Sequence, residues 1–421
     1  MSKHADLYAK IEKQFIKSWE NCPEHLPNKQ KRFAYLEKRI WESKCHRFIE
    51  LMQTKSHLEQ GNKTLILNEC KSFCEETLSY SSNELALIFS EEMLGATKVF
   101  IQKAWQFDPE LKNDELFQAL RNVWIMLGLQ SFFGIEVKIT PSLLAYSLLY
   151  PYTDNLLDDE KIEKEEKLNF CKRFALRLAG QKIKSQSILE SKIYHLVSMI
   201  ESEFHRTKHP DLFKSLLAIH KAQTHSLALL NKNTSLSKEE IFKICITKGS
   251  SSVIADGYLV MGDLNEKQIH FLYEYGAYLQ ILDDLQDARQ DYMDGITTCF
   301  SANLPHGNLD SLVCKTYYLG KVFHQTCTKL YPEQISFHGL IKRSFALLFI
   351  ASIVENQKDF SKHFIQKIEK HAPFRFSFLR KQQSDIQELK SLLLIKIQKY
   401  KKENYSTISI PRVEKDKPCC P

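Results

Sequence analysis

The chain has 421 residues, 43% hydrophobic and 26% charged, which excludes a disordered or fibrous protein and supplies ample material for a deep apolar core. Its 13 Gly and 12 Pro are few for this length and disfavour a turn-rich β protein. The net charge of +7 arises from acidic and basic residues that alternate along most of the sequence, with no Arg-rich arm and no zinc-finger spacing, so no nucleic-acid partner is expected.

A net-positive surface suits an anionic ligand or an acidic membrane surface instead. From the N-terminus, MSKHADLYAKIEKQF is charged and amphipathic and lacks the apolar stretch of a signal peptide. With scattered cysteines and no CxxC pair, this predicts free thiols in a reducing cytosol. Cys70 and Cys74 share a helix face without completing a zinc site, and the Cys419-Cys420-Pro421 end does not fit the prenylation pattern. Residues 1–93 read as a polar helical extension, AYLEKRIWESKCHRFIELM being its clearest helix, which is expected to cover a cavity or form a homodimer surface.

Residues 94–403 form the expected catalytic unit. Helical periodicity predicts helices near 115–133, 142–160, 164–180, 186–206, 211–231, 238–261, 266–293, 309–330, 337–355, 357–371 and 376–402. Pro141 after Thr140, and Pro210, suit first turns of helices, and SLSKE at Ser235–Glu239 offers a capping serine with a following glutamate. Ser301–Asp310, with Pro305 and Gly307, must be a loop. Phe345–Val354 (FALLFIASIV) is about half the ~20 residues needed to span a bilayer and reads as a buried helix. Residues 404–421 read as a flexible tail. The expected fold class is all-α, a bundle of roughly 10–13 helices around a central apolar cavity.

Two acidic clusters carry the chemistry. The first, YPYTDNLLDDEK, holds Asp154, Asp158 and Asp159, with Asp154 and Asp158 one helical turn apart on one face. The second, GAYLQILDDLQDARQD, holds Asp283, Asp284, Asp287 and Asp291, with 283, 287 and 291 in one stack. Each ends an apolar helical stretch rather than lying on a polar face, so the carboxylates should point into a cavity mouth. Stacked like charges repel by a few tenths of a kcal/mol per pair. Hard divalent cations, bound through a few carboxylates plus substrate phosphates, explain such an arrangement; a pair of solvated acidic faces is the alternative.

The two segments together resemble the class I isoprenoid synthase superfamily. Tyr278–Asp287 (YLQILDDLQD) is similar to the F-Q-I-x-D-D-x-x-D motif of polyprenyl synthases. Asp154-Asn155-Leu156-Leu157-Asp158-Asp159 has the D-x-x-x-D-D spacing of the squalene synthase group, and its Asp-Asn-Leu-x-Asp core is similar to the bacterial large-terpene synthases. The likeness covers roughly 95–400.

The resemblance implies a terpene synthase acting on a prenyl diphosphate, with about three Mg²⁺ held by Asp154, Asp158, Asp159, Asp283, Asp284, Asp287 and Asp291. Lys248, in CITKGSSSVIADG, resembles the lysine that contacts diphosphate in polyprenyl synthases; Gly249 beside it permits close approach or a kink. Arg121, in QALRNVW, binds the diphosphate or pairs with an acidic neighbour. Tyr146, Tyr150, Tyr152, Phe132 and Phe133 line a prenyl pocket or pack as core. Asn231, Ser235 and Glu239 nearly match the cyclase N-D-x-x-S-x-x-x-E triad but read as a loop and cap. His220 and His225 lack a third ligand for zinc. A condensing prenyltransferase and a catalytically inactive helical scaffold are the remaining readings.

Overall fold

The computed structural model describes residues 4–27, 31–56, 63–159, 161–230 and 235–405, with the backbone alone at 55–56, 63–64, 158, 390, 392–400 and 402–405. Among the described residues the protein is all-helical, with no strand. Asn231 and the Cys419-Cys420-Pro421 end lie outside them.

The first helices are α1 (Ala5–Glu20), α2 (Tyr35–Ser56), α3 (Lys63–Glu76), α4 (Ser82–Ile88) and α5 (Glu91–Phe107). Next come α6 (Asn113–Phe132), α7 (Pro141–Asp158), α8 (Lys164–Leu178), α9 (Ile188–Glu203) and α10 (Pro210–Ser226). The chain continues through α11 (Lys238–Met261), α12 (Glu266–Gln286), α13 (Ala288–Asp294) and α14 (Asp310–Leu330). It closes with α15 (Ile335–Glu355), α16 (Lys362–Glu369) and α17 (Phe376–Tyr405).

The boundaries have local causes. Thr140 accepts from the Leu143 amide and Pro141 takes the first turn of α7, where its missing N–H costs nothing. Ser237 and Glu240 form the capping box of α11, two residues beyond the serine at 235. Gly262 ends α11 at φ 77°, a left-handed conformation that favours glycine.

The central pair is α11 and α12. Residues of α6, α7 and α10 pack on α11, and those of α1, α14 and α15 on α12. One contiguous apolar core runs through the bundle and includes Ile11, Phe15 and Trp19 of α1, so the first helix packs into the same interior as the rest. At the α11–α12 crossing, a Cβ on Gly249 would lie 2.5 Å from the Gly276 carbonyl oxygen. A Cβ on Gly276 would lie 2.4 Å from the Gly249 carbonyl oxygen. The two backbones touch there, and the close approach foreseen for Gly249 is its role, with α11 unbroken through it.

One expectation needs correction. The helix expected over 266–293 is broken at Asp287, because the Asn356 side-chain amide donates to the Leu285 and Gln286 carbonyls and ends α12 there. The Phe345–Val354 segment belongs to the 21-residue α15, long and apolar enough, by length and composition, to cross a membrane, although its reading as a core-packed helix holds, with Phe349 and Ile350 also against the core. Phe345, Ile353 and Val354 face the core, whereas Leu348 is 40% exposed.

Candidate functional site

Helix geometry brings the two acidic clusters to one place. The first cluster ends α7 and the second ends α12, so both helices aim their C-terminal, partially negative ends at the same opening. Asp154, Asp283, Asp284, Asp287 and Asp291 line one cleft of about 220 Å³, together with Lys248 of α11 and Gln223 of α10. Clustering carboxylates where two helix dipoles are also negative is unfavourable without a cation.

The members differ in environment. Asp284 is buried: its Oδ1 accepts from Gln280 Nε2 at 2.8 Å, while Oδ2 has no hydrogen-bond partner. Burial, reinforced by Asp283, raises its pKa to about 7. Asp291 is pushed up to about 8 by burial and by Asp284, Asp287 and Asp283. Asp287 is raised by partial burial and by Asp283, against the pull of Arg121. Asp154 Oδ1 accepts from Gln223 Nε2 at 3.3 Å.

Burial pulls the Lys248 ammonium down, but Asp154, Asp284 and Asp283 outweigh it and hold the lysine above its ordinary range. It is therefore charged in the cleft. Tyr150, one turn before Asp154, is raised by that carboxylate and by burial. The acidic cleft is thus backed by a phenol that keeps its proton.

Two predicted residues sit elsewhere. Asp159 is exposed and accepts from the Lys161 amide at 2.9 Å, closing the turn after α7, and does not line the cleft. Arg121 stands at the rim, 72% exposed, with Nη2 3.3 Å from Asp283 Oδ1. The Asp158 side chain lies outside the described residues, although its backbone ends α7.

The aromatic residues divide. Tyr146 and Tyr150 border a space of about 30 Å³ beside the cleft, which admits water but no hydrocarbon chain. Tyr152 donates to Asp108 Oδ2 at 2.5 Å, away from the cleft. Phe132 and Phe133 pack against Phe271 and Tyr331 as core. His220 is buried, with Nε2 2.8 Å from the Cys171 carbonyl, and is a satisfied core histidine. Sequence reasoning missed Gln223 and quoted Gln280 only as the glutamine of the second motif, without a role. Neutral amides on amphipathic helices carry no signal of their own until the fold sets them against carboxylates.

It also missed Asp256, two turns beyond Lys248 on α11. That side chain is 0% exposed and neither oxygen has a hydrogen-bond partner. Burial pushes its carboxyl well above the ordinary range, against a smaller downward influence from the Asn122 amide. The folded state therefore keeps a proton that the unfolded chain releases near pH 4, and stability falls as pH rises above that. Asp256→Asn should make the stability-versus-pH slope above about pH 5 shallower by up to about 1.4 kcal/mol per pH unit, the effect of one proton, measured by urea denaturation. An unchanged slope would show that Asp256 ionises in the folded protein.

Among the described residues, no three histidine, cysteine or carboxylate groups stand close enough together to hold a metal ion by themselves. Comparison with protein-family models, with curated proteins and with solved structures finds no match for this chain.

Proposed function

We propose that the protein is a magnesium-dependent class I terpene synthase, which ionises a prenyl diphosphate to an allylic cation that cyclises or loses a proton. The observation that carries this reading is the single cleft in which carboxylates from the ends of α7 and α12, with Asp291 of α13, face the ammonium of Lys248.

The donor set fits magnesium. All its anionic donors are carboxylate oxygens, Asp284 Oδ2 is buried without a partner, and the negative charge exceeds what Lys248 and Arg121 offset. Magnesium commonly keeps several waters and completes its shell with substrate phosphate oxygens, so it asks for only a few of these carboxylates. Asp154, Asp283, Asp284, Asp287 and Asp291 would hold the ions. Bound magnesium supplies charge neutralisation that turns the diphosphate into a leaving group.

The chain's own residues account for the rest. Lys248 offers a fixed positive charge to the diphosphate from the cleft wall. Arg121, exposed and lightly tethered to Asp283, can exchange that partner for a phosphate oxygen at the rim. Leu157, Leu229 and Leu230 border the same cleft and limit water around the cation. Tyr150, half-buried one turn before Asp154, offers an aromatic face to positive charge. Ligand pockets usually measure about 300–1,000 Å³, so seating a prenyl chain requires Tyr146 and Tyr150 to move apart.

The test is incubation of the purified protein with Mg²⁺ and prenyl diphosphates of increasing length, singly and in pairs, following diphosphate release and organic-extractable product. A hydrocarbon or alcohol from one substrate alone is the expected result. Product formed only from two substrates would assign a condensing prenyltransferase. No diphosphate release from any length would leave the helical scaffold as the surviving reading.

A further inference from the structure

The antiparallel pair α14 and α15 presents a face that the cleft does not use. Between Ser311 and Val354 the chain carries Lys315, Lys321, Lys329, Lys342 and Arg343 against a single acidic residue, Glu333. Lys315 pairs with Glu24 and Arg343 with the buried Glu84. Lys321, Lys329 and Lys342 are exposed, with no acidic partner among the described residues. Lys321 lies over the rings of Tyr317 and Tyr318.

The same face is apolar between these charges. A groove of about 480 Å³ runs between the two helices, lined by Ile335, Gly339, Lys342 and Ala346 on one side and His324 and Thr328 on the other. On α15, residues 335, 339, 342 and 346 fall on one stripe at helical spacing. Ile335, at the tip of the pair, is 76% exposed. Most apolar side chains of α15 pack on the core, including Leu340, Ile341, Phe349 and Ile350, so its exposed apolar contribution to this face is Ile335 with the small residues Gly339 and Ala346.

We propose that the α14–α15 face docks the protein onto an anionic lipid surface. The cationic rim meets the headgroups while Ile335 and the groove between the helices meet the acyl boundary, as in amphipathic elements that lie in the membrane plane. The charge on the face selects this occupant: a second copy brought face to face would set lysines against lysines. The helix lies on the membrane and does not span it, because Phe345, Ile353 and Val354 are in the bundle core and Asn356, just beyond, holds the end of α12. This inference stands on the surface alone and does not depend on the chemistry in the cleft.

The experiment is flotation of the full chain with vesicles of neutral phosphatidylcholine, with and without phosphatidylglycerol, at low and at high salt. Recovery is expected only with the anionic vesicles and should fall with salt. Lys321→Gln and Lys342→Gln should each lower partitioning about fivefold, and Ile335→Ser should lower it further without changing the helical circular dichroism. Equal recovery on neutral vesicles, no recovery on either, or indifference to both lysine changes would overturn the proposal. A dimer seen by light scattering that the lysine changes dissolve, without vesicle binding, would reassign the face to contact between copies.

Discussion

Asp284→Asn should stabilise the magnesium-free protein at pH 8 and, on the proposed function, sharply lower its turnover. The Asp284 carboxyl is buried, one oxygen has no partner, and its pKa stands at about 7. The unfolded chain releases that proton near pH 4. The folded-state advantage of holding it is complete in acid and is lost as pH rises through about 7, so an ionised Asp284 costs the folded protein up to about 4 kcal/mol at pH 8.

Asparagine removes the ionisation while keeping the Gln280 contact within reach. Thermal denaturation without magnesium should show the substituted protein more stable than the parent at pH 8, less so at pH 5, and nearly equal to it below about pH 4. If instead it is less stable at pH 8, the carboxylate is satisfied by some group other than a cation. On the proposed function, the same change removes a ligand oxygen and should lower magnesium-dependent diphosphate release at least about a hundredfold. A variant that gains stability and keeps activity would remove Asp284 from the site and leave the stability argument standing.

Gly276→Ala should destabilise the protein by about 3 kcal/mol, the upper end of what overpacking a core costs. The added Cβ would lie 2.4 Å from the Gly249 carbonyl oxygen and 2.9 Å from its carbon, both backbone atoms that no rotamer change can move aside. The helices α11 and α12 must then separate or slide. They carry Lys248 and Asp283–Asp287 respectively, so the same shift should weaken magnesium-dependent diphosphate binding. Urea denaturation and calorimetric titration with inorganic diphosphate and Mg²⁺ measure the two effects. An alanine at 276 tolerated within about 0.5 kcal/mol would mean that the two backbones do not touch as described.

The all-helical character was legible from the start: sparse Gly and Pro, and apolar residues at helical spacing, leave few other ways to bury 43% hydrophobic residues. Pro141, Pro210 and the serines near 237 placed helix starts to within a few residues, because capping is a local interaction. The two acidic clusters were also legible, because aspartates ending apolar helical segments break the usual inside–outside pattern. That Lys248 belongs with them came from its setting among small residues and from resemblance.

What the sequence could not give were the relations between distant segments. The break at Asp287 depends on Asn356, some seventy residues later, reaching the last carbonyls of α12. The gathering of Asp154, Asp284, Asp291, Gln223 and Lys248 into one cleft depends on α7, α10, α11 and α12 meeting at one end of the bundle. Asp159, beside Asp158 in sequence, turns outward because the chain leaves α7 there and its carboxylate caps the following turn. Asp256 reads as an ordinary polar position on α11 until packing removes every partner from it. Local sequence determined the helices, their starts and the acidic residues that end two of them. Tertiary packing alone decided which faces are covered and which charges meet, because burial and long-range contact belong to no single segment.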